Sequence, residues 1–277
     1  MTELNTKIAN TWCPGCWNFQ ILAGVKNFLN KEIKSEKDKD KWAIVTGIGC
    51  ASKIFDYINL QGLNSLHGRV IPSCLGLKVG NPNLNVLGFC GDGDAYAEGI
   101  EHLIPAARHN SDFKYIVHNN QVFALTVGEP TPTTELGFKD KTTPGGVKIP
   151  PMNPIKLMLA AGAGFVARVF ADVKQVEKIL EEAKKHKGFA FIEVIQPCLI
   201  FHPDTGMRDK SYNLQETGHD KTNWQDAMKR AEEFDYNVVE KIPLGIFYQE
   251  EKPVFEDVIP QLASLKKSGK SWKDIKR

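Results

Sequence analysis

Gly91-Asp92-Gly93-Asp94 and Asn119-Asn120 are the two strings whose reading decides the fold. Twenty-five residues separate the first triplet, Gly91 to Gly93, from the Asn pair. Each string follows a short apolar run: Val86-Leu87-Gly88-Phe89 before the first, Tyr115-Ile116-Val117 before the second. Both runs read as the ends of buried β-strands with a helical stretch between them. Two adjacent parallel strands bring the Asp and the Asn together at one rim of a sheet. That rim is where open α/β folds bind ligands. A carboxylate, an amide oxygen and a nearby backbone carbonyl are hard donors suited to Mg²⁺ that also holds a diphosphate. The glycines let the backbone approach the phosphates.

The rest of the chain alternates in the same way. Residues 18–33 have apolar spacing for a helix, and a charged loop, Lys34–Lys41, follows. Trp42-Ala43-Ile44-Val45 is a strand ending at the small-residue turn Gly47 to Ser52. Such a turn can meet an anion with its backbone N–H groups. Helices are expected over 72–80, about 98–108, 154–163, 172–187 and near Trp224–Phe234, and a strand over Phe189–Ile195. The Pro/Thr-rich stretch Glu129–Pro151 is a long loop without a period, which marks a functional or mobile segment. Strands alternating with helices predict a three-layer α/β fold around a mostly parallel sheet. Residues 1–200 read as that domain. Residues 201–277 read as a loop-rich C-terminal extension packed on the domain or on a partner.

The 277 residues carry a net charge of +2, which gives no global case for nucleic acid or an acidic membrane. The lysine-rich stretches Lys31–Lys41 and Lys266–Arg277 read as solvated loop and tail. The polar N-terminus lacks a signal-peptide core, and no apolar run reaches membrane-spanning length. A cytoplasmic protein is expected.

Of six cysteines, Cys13 and Cys16 form C-x-x-C in Trp12-Cys13-Pro14-Gly15-Cys16. That string has a thioredoxin look, but the strand that precedes a thioredoxin motif is missing. Cys50 follows one predicted strand and Cys198 another, so both reach the same rim as Asp92 and Asn120. Four thiolates converging there could hold a [4Fe–4S] cluster or structural zinc, and spacing alone leaves both open. Cys74 and Cys90, among small or apolar neighbours, read as buried inert thiols.

The Gly-Asp-Gly string, the gap and the Asn pair resemble the diphosphate-binding motif of thiamine diphosphate (ThDP) enzymes. By position, the resemblance makes Asp92, the Asn120 side chain and the Val122 carbonyl the Mg²⁺ ligands. Further strings make it more specific: Cys13-Pro14-Gly15-Cys16, Gly47-Ile48-Gly49-Cys50, His67-Gly68-Arg69, Pro130-Thr131-Pro132-Thr133-Thr134, Pro197-Cys198 and Ile242-Pro243-Leu244-Gly245. In this order the chain resembles the β subunit of 2-oxoacid:ferredoxin oxidoreductases. The resemblance favours iron–sulfur over zinc, with Cys13, Cys16, Cys50 and Cys198 as ligands of a [4Fe–4S] cluster. It implies that Ile48, Gly49, Cys50, Ala51, His67, Gly91, Gly93, Asp94, Ala124 and Leu125 line the ThDP site. His67 is the candidate catalytic contact, to cofactor or substrate.

The implied activity is CoA-dependent oxidative decarboxylation of a 2-oxoacid, with electrons leaving through the cluster to ferredoxin. Pyruvate, 2-oxoglutarate and a broad range all remain as substrates. An α (or fused γ–α) subunit is expected to complete the ThDP site. Two departures from the family pattern stand out: Gly99-Ile100-Glu101-His102 after the Asp motif, and Thr126-Val127-Gly128-Glu129 after the Asn pair. Val127 removes a possible carboxylate contact, and Glu129 adds a negative charge unless it points away. The rival readings are a non-oxidative ThDP-dependent decarboxylase subunit, and a non-catalytic electron-transfer or zinc-stabilised binding module.

Overall fold

The computed structural model describes residues 3–204, 206–237 and 240–274. The first two residues of the N-terminal stretch and the last three of the Lys266–Arg277 run lie outside them. In chain order the strands are β1 Trp42–Thr46, β2 Gln61–Asn64, β3 Asn85–Gly91, β4 Lys114–Asn119, β5 Val122–Phe123, β6 Glu129–Pro130, β7 Phe165–Phe170, β8 Ala190–Ile195, β9 Ser211–Asn213 and β10 Ile242–Gln249. Eight of them form one sheet in the order β2-β1-β3-β4-β8-β7-β10-β9, and β5 with β6 forms a separate hairpin. Every pairing in the large sheet is parallel except β10 against β7.

Side chains alternate between two cores, as the period of a strand requires. Ile44, Leu87, Phe89, Ile116, Ala167 and Ile192 face helices Asn18–Glu32 and Val173–Lys185. Val45, Val86, Cys90, Tyr115, Val117 and Phe191 face helices Val70–Gly80, Ile100–His109, Pro154–Ala160 and Trp224–Ala231 on the other side. The result is the expected three-layer α/β architecture. Helix entry is set locally by side-chain caps: Asp172 accepts from the N–H groups of Lys174 and Gln175, and Asn153 from that of Lys156.

Several elements depart from the sequence reading. The sequence reading assigns no element to residues 164–171, where Arg168 interrupts the apolar run. Yet Arg168 is fully buried in β7, where its Nε lies 2.7 Å from Glu193 Oε2 of β8. Burial of two opposite charges side by side lets both strands carry a polar residue in the core. Residues 242–249 also form a strand, although Pro243 and Gly245 argue against one. Pro243 pairs only with the short edge strand β9, and Gly245 has φ +110° where the chain enters the irregular pairing with β7. The segment after residue 200 therefore adds two strands to the sheet as well as loops. The charged loop 34–41 contains a helical turn, Glu36–Lys39, capped by Ser35.

The ends of β1, β3, β4 and β8 form one rim. Register places Thr46 beside Phe89, Gly91 beside His118, and Asn119 beside Ile195. The chain leaves β1 for β2 on one side and has β3 on the other, so the rim between β1 and β3 is a topological switch point.

Candidate active site

Strand β3 runs directly into a short helix, Asp92–Tyr96, with Gly91 at its cap. This turn buries Asp92, which is 1% exposed. Its Oδ1 accepts from the Asn120 backbone N–H at 3.3 Å, and its Oδ2 from the hydroxyls of Thr131 at 2.5 Å and Thr133 at 3.0 Å. Burial pushes its pKa up to about 6, against the opposing pull of these donors. Among the described residues no Lys, Arg or His forms an ion pair with it. A buried carboxylate without a cationic partner is a natural seat for a metal ion.

The Asn pair ends β4 in a tight turn. Asn119 Oδ1 accepts from the Gln121 N–H at 3.1 Å, and Asn120 Oδ1 from the Val122 N–H at 3.1 Å. Gln121 adopts φ +62°, rare for a residue with a Cβ. Its side-chain amide donates to the Thr133 carbonyl and to Glu135, and its own carbonyl accepts from the Thr134 hydroxyl. The Asn120 oxygen and the Val122 carbonyl, which accepts from the Ala124 N–H at 2.9 Å, each keep a lone pair for a cation. Together with Asp92 they are an oxygen donor set of the type Mg²⁺ takes.

Asp94 serves the neighbouring turns. It accepts from the backbone N–H groups of Ile48, at 2.9 Å, and Gly68. Gly47 makes this possible, since a Cβ there would stand 1.7 Å from Asp94 Oδ2. His67 Nδ1 is 3.1 Å from Asp94 Oδ1 without hydrogen-bonding alignment. Burial raises the Asp94 pKa, and the two backbone donors and His67 oppose that rise.

All thirteen residues expected around the cofactor line one cavity of about 130 Å³: Ile48, Gly49, Cys50, Ala51, His67, Gly91, Asp92, Gly93, Asp94, Asn120, Val122, Ala124 and Leu125. Phe123 and Thr126 also line it, and the sequence reading missed both. Thr131 and Thr133 were recognised only as part of a family string. Glu129 accepts from the Thr126 hydroxyl at 2.6 Å.

A second cavity, about 400 Å³, adjoins the first and shares Cys50, Asn120, Ala124, Leu125 and Thr126 with it. Cys13, Cys16, Cys50 and Cys198 all line it. Cys13 and Cys16 flank a turn closed by the Cys16 N–H on the Cys13 carbonyl, with Gly15 at φ +77°. The Trp12 indole N–H holds the Cys50 carbonyl at 2.7 Å, and the Phe201 N–H points to Cys198 Sγ at 3.5 Å. Burial pushes the Cys50 thiol up to about 11; Lys53 opposes this, and the other three cysteines add to it. Burial also raises Cys16, with Cys13 and Cys198 adding to the rise. A cationic core between the sulfurs would relieve this mutual repulsion. Among the described residues no three His, Cys, Asp or Glu side chains are grouped as ligands of a single ion. Cys13, Cys16, Cys50 and Cys198 instead share the lining of one cavity. Cys74 and Cys90 are fully buried elsewhere, and burial raises both thiols. A cavity of about 410 Å³ against β9 and β10 has none of these features.

Residues 47–194 match the family model for the thiamine pyrophosphate enzyme C-terminal TPP-binding domain. The fold and the site thus define a thiamine pyrophosphate-binding enzyme domain. Residues 207–264 match the family model for the C terminal part of the pyruvate ferredoxin oxidoreductase β chain. The chain is 39% identical to the 2-oxoacid:ferredoxin oxidoreductase subunit beta of Saccharolobus solfataricus, over 87% of this chain and 82% of that one. It is 34% identical to the 2-oxoglutarate synthase subunit KorB of Archaeoglobus fulgidus, over 98% and 97%. A solved structure, the 2-oxoglutarate:ferredoxin oxidoreductase from Magnetococcus marinus with 2-oxoglutarate, coenzyme A and succinyl-CoA bound, aligns with a TM-score of 0.86. Its identity is 30%, and the alignment covers 96% of this chain and 90% of that one. The chain belongs to the 2-oxoacid:ferredoxin oxidoreductase β-subunit family. No helix among the described residues is long and apolar enough to cross a membrane.

Proposed function

We propose that this chain is the ThDP- and cluster-carrying subunit of an enzyme that oxidatively decarboxylates a 2-oxoacid, with CoA as acyl acceptor and ferredoxin as electron acceptor. The carrying observation is the adjacency of two cavities. One is built on Asp92 and Asn120, the other on four cysteines, and Cys50 and Asn120 line both. Bound ThDP would supply the electron sink for loss of CO₂, and a [4Fe–4S] cluster a one-electron relay. Asp92, the Asn120 side chain and the Val122 carbonyl would hold Mg²⁺. Gly91 and Gly49, with no atom within 4 Å of a would-be Cβ, leave room for the diphosphate. Cys13, Cys16, Cys50 and Cys198 would ligate the cluster.

The chain's residues bind and orient. Asp94 fixes the Ile48 and Gly68 turns, so their backbones wall the cavity. His67, half exposed at the rim, is available to a bound substrate or cofactor. Ile48 and Leu125, exposed at the cavity mouth, give the α subunit an apolar rim to cover and exclude water.

The test is 2-oxoacid-dependent reduction of ferredoxin by the chain assembled with its partner subunit, with and without CoA. CoA-dependent reduction that Asp92→Ala abolishes supports the reading. CO₂ release to an aldehyde without ferredoxin reduction would replace it with the non-oxidative one.

A further inference from the structure

The surroundings of Cys16 include an amide that no ligand assignment uses. Asn18, the first residue of helix Asn18–Glu32, is 1% exposed and lines the cysteine cavity. Its Oδ1 lies 2.8 Å from Nδ1 of the equally buried His118 on β4. An amide oxygen only accepts, so His118 carries its proton on Nδ1. This tautomer also leaves the buried, unpartnered Nε2 as a lone pair instead of an unpaired N–H, the less costly arrangement. With its oxygen held by His118, Asn18 turns its NH₂ group away from the histidine. That nitrogen is buried with no hydrogen-bond partner, and Asn18 lines the same cavity as Cys16, two residues before it in the chain. Gln196 Nε2 approaches the Cys16 sulfur at 3.9 Å.

We propose that the Asn18 amide, oriented by His118, donates a hydrogen bond to the Cys16 thiolate of the bound cluster and raises the cluster's reduction potential. The inference rests on the cluster reading above. One-electron reduction adds negative charge that the cysteine sulfurs share. A donor at Cys16 therefore stabilises the reduced form more than the oxidised one. Asn18 donates to a ligand, and His118 is a positioning residue. Loss of one such bond shifts the reduction equilibrium about tenfold, which is about 59 mV for a one-electron couple.

The experiment is a redox titration of the anaerobic assembled enzyme, followed by electron paramagnetic resonance, on wild type, Asn18→Leu and His118→Phe. The expected result is full iron content in all three, a potential about 59 mV lower in Asn18→Leu, and a smaller drop in His118→Phe. An unchanged potential with full iron overturns the inference and leaves the cluster reading intact. Wild type without iron overturns both. Should the variants lose the cluster, electron–nuclear double resonance on wild type labelled with asparagine carrying ¹⁵N in the side-chain amide alone, in D₂O, decides. A ¹⁵N-coupled exchangeable deuteron at the cluster supports the inference, and its absence overturns it.

Discussion

The Asn120 backbone N–H donates to Asp92 Oδ1 at 3.3 Å, linking the end of β4 to the end of β3. The two residues of the sequence signature, far apart along the chain, are therefore held together by main chain as well as by side chains. With the two threonine hydroxyls on its other oxygen, the carboxylate is fixed before any cation arrives.

Asp92→Asn keeps an oxygen for these donors and removes the charge. Mg²⁺-dependent ThDP binding is expected to weaken by more than about 100-fold, above the 10–100-fold typical of residues that only support a ligand, while the chain still folds. Titration calorimetry on the assembled enzyme reads this out. Affinity within threefold of wild type would remove Asp92 from the metal site.

The Thr131→Val and Thr133→Val double variant leaves Asp92 with only the Asn120 N–H. ThDP affinity is expected to fall about 10–100-fold and to recover in part at higher pH, since loss of two donors raises the Asp92 pKa further. A pH-independent defect would assign the threonines to loop folding instead.

The site was more legible than the sheet. Asp92, Asn120, Cys50 and Cys198 sit at strand ends, where apolar runs stop, so pattern alone put these four on one rim, while the other lining residues came from the family resemblance. Strand β7 was hidden because Arg168 looks like a solvent-facing break, and only the pairing with Glu193 across β8 makes it a core residue. Strand β10 was hidden by Pro243 and Gly245, which are tolerated because of an edge neighbour and irregular pairing. The clasp of Thr131 and Thr133 on Asp92 was invisible for a different reason. It joins segments about forty residues apart through a loop with no period, and only three-dimensional closure brings them together.

Two glycines separate space for a ligand from space for the fold. Gly91→Ala has an ordinary backbone, φ −86°, and no atom within 4 Å of the new Cβ, which projects into open space at the cavity. Thermal stability is expected to stay within about 0.5 kcal/mol, while ThDP affinity falls. Gly47→Ala drives a Cβ into Asp94 and is expected to cost about 1–3 kcal/mol of stability. Equal loss of stability in the two variants would contradict this division.

His118 and His186 set part of the acid response. Burial pushes His118 down to about 3; burial, with Lys114 second, pushes His186 down to about 4. Both lie below the unfolded value of about 6.5, so the unfolded chain binds more protons between those limits. Their contribution is complete above about pH 6.5 and is lost as pH falls, by ~1.4 kcal/mol per unit for each histidine. Denaturant unfolding of His186→Phe against wild type should give a shallower decline between about pH 6 and 4. Parallel curves would show that His186 is not buried neutral.

The central claim is that one rim of this sheet holds a ThDP site beside a four-cysteine cluster, and metal analysis of the anaerobically purified chain tests it most directly. The account predicts about four irons and four sulfides per chain, with a reduced-cluster paramagnetic signal that Cys198→Ser abolishes. One zinc and no iron would contradict it.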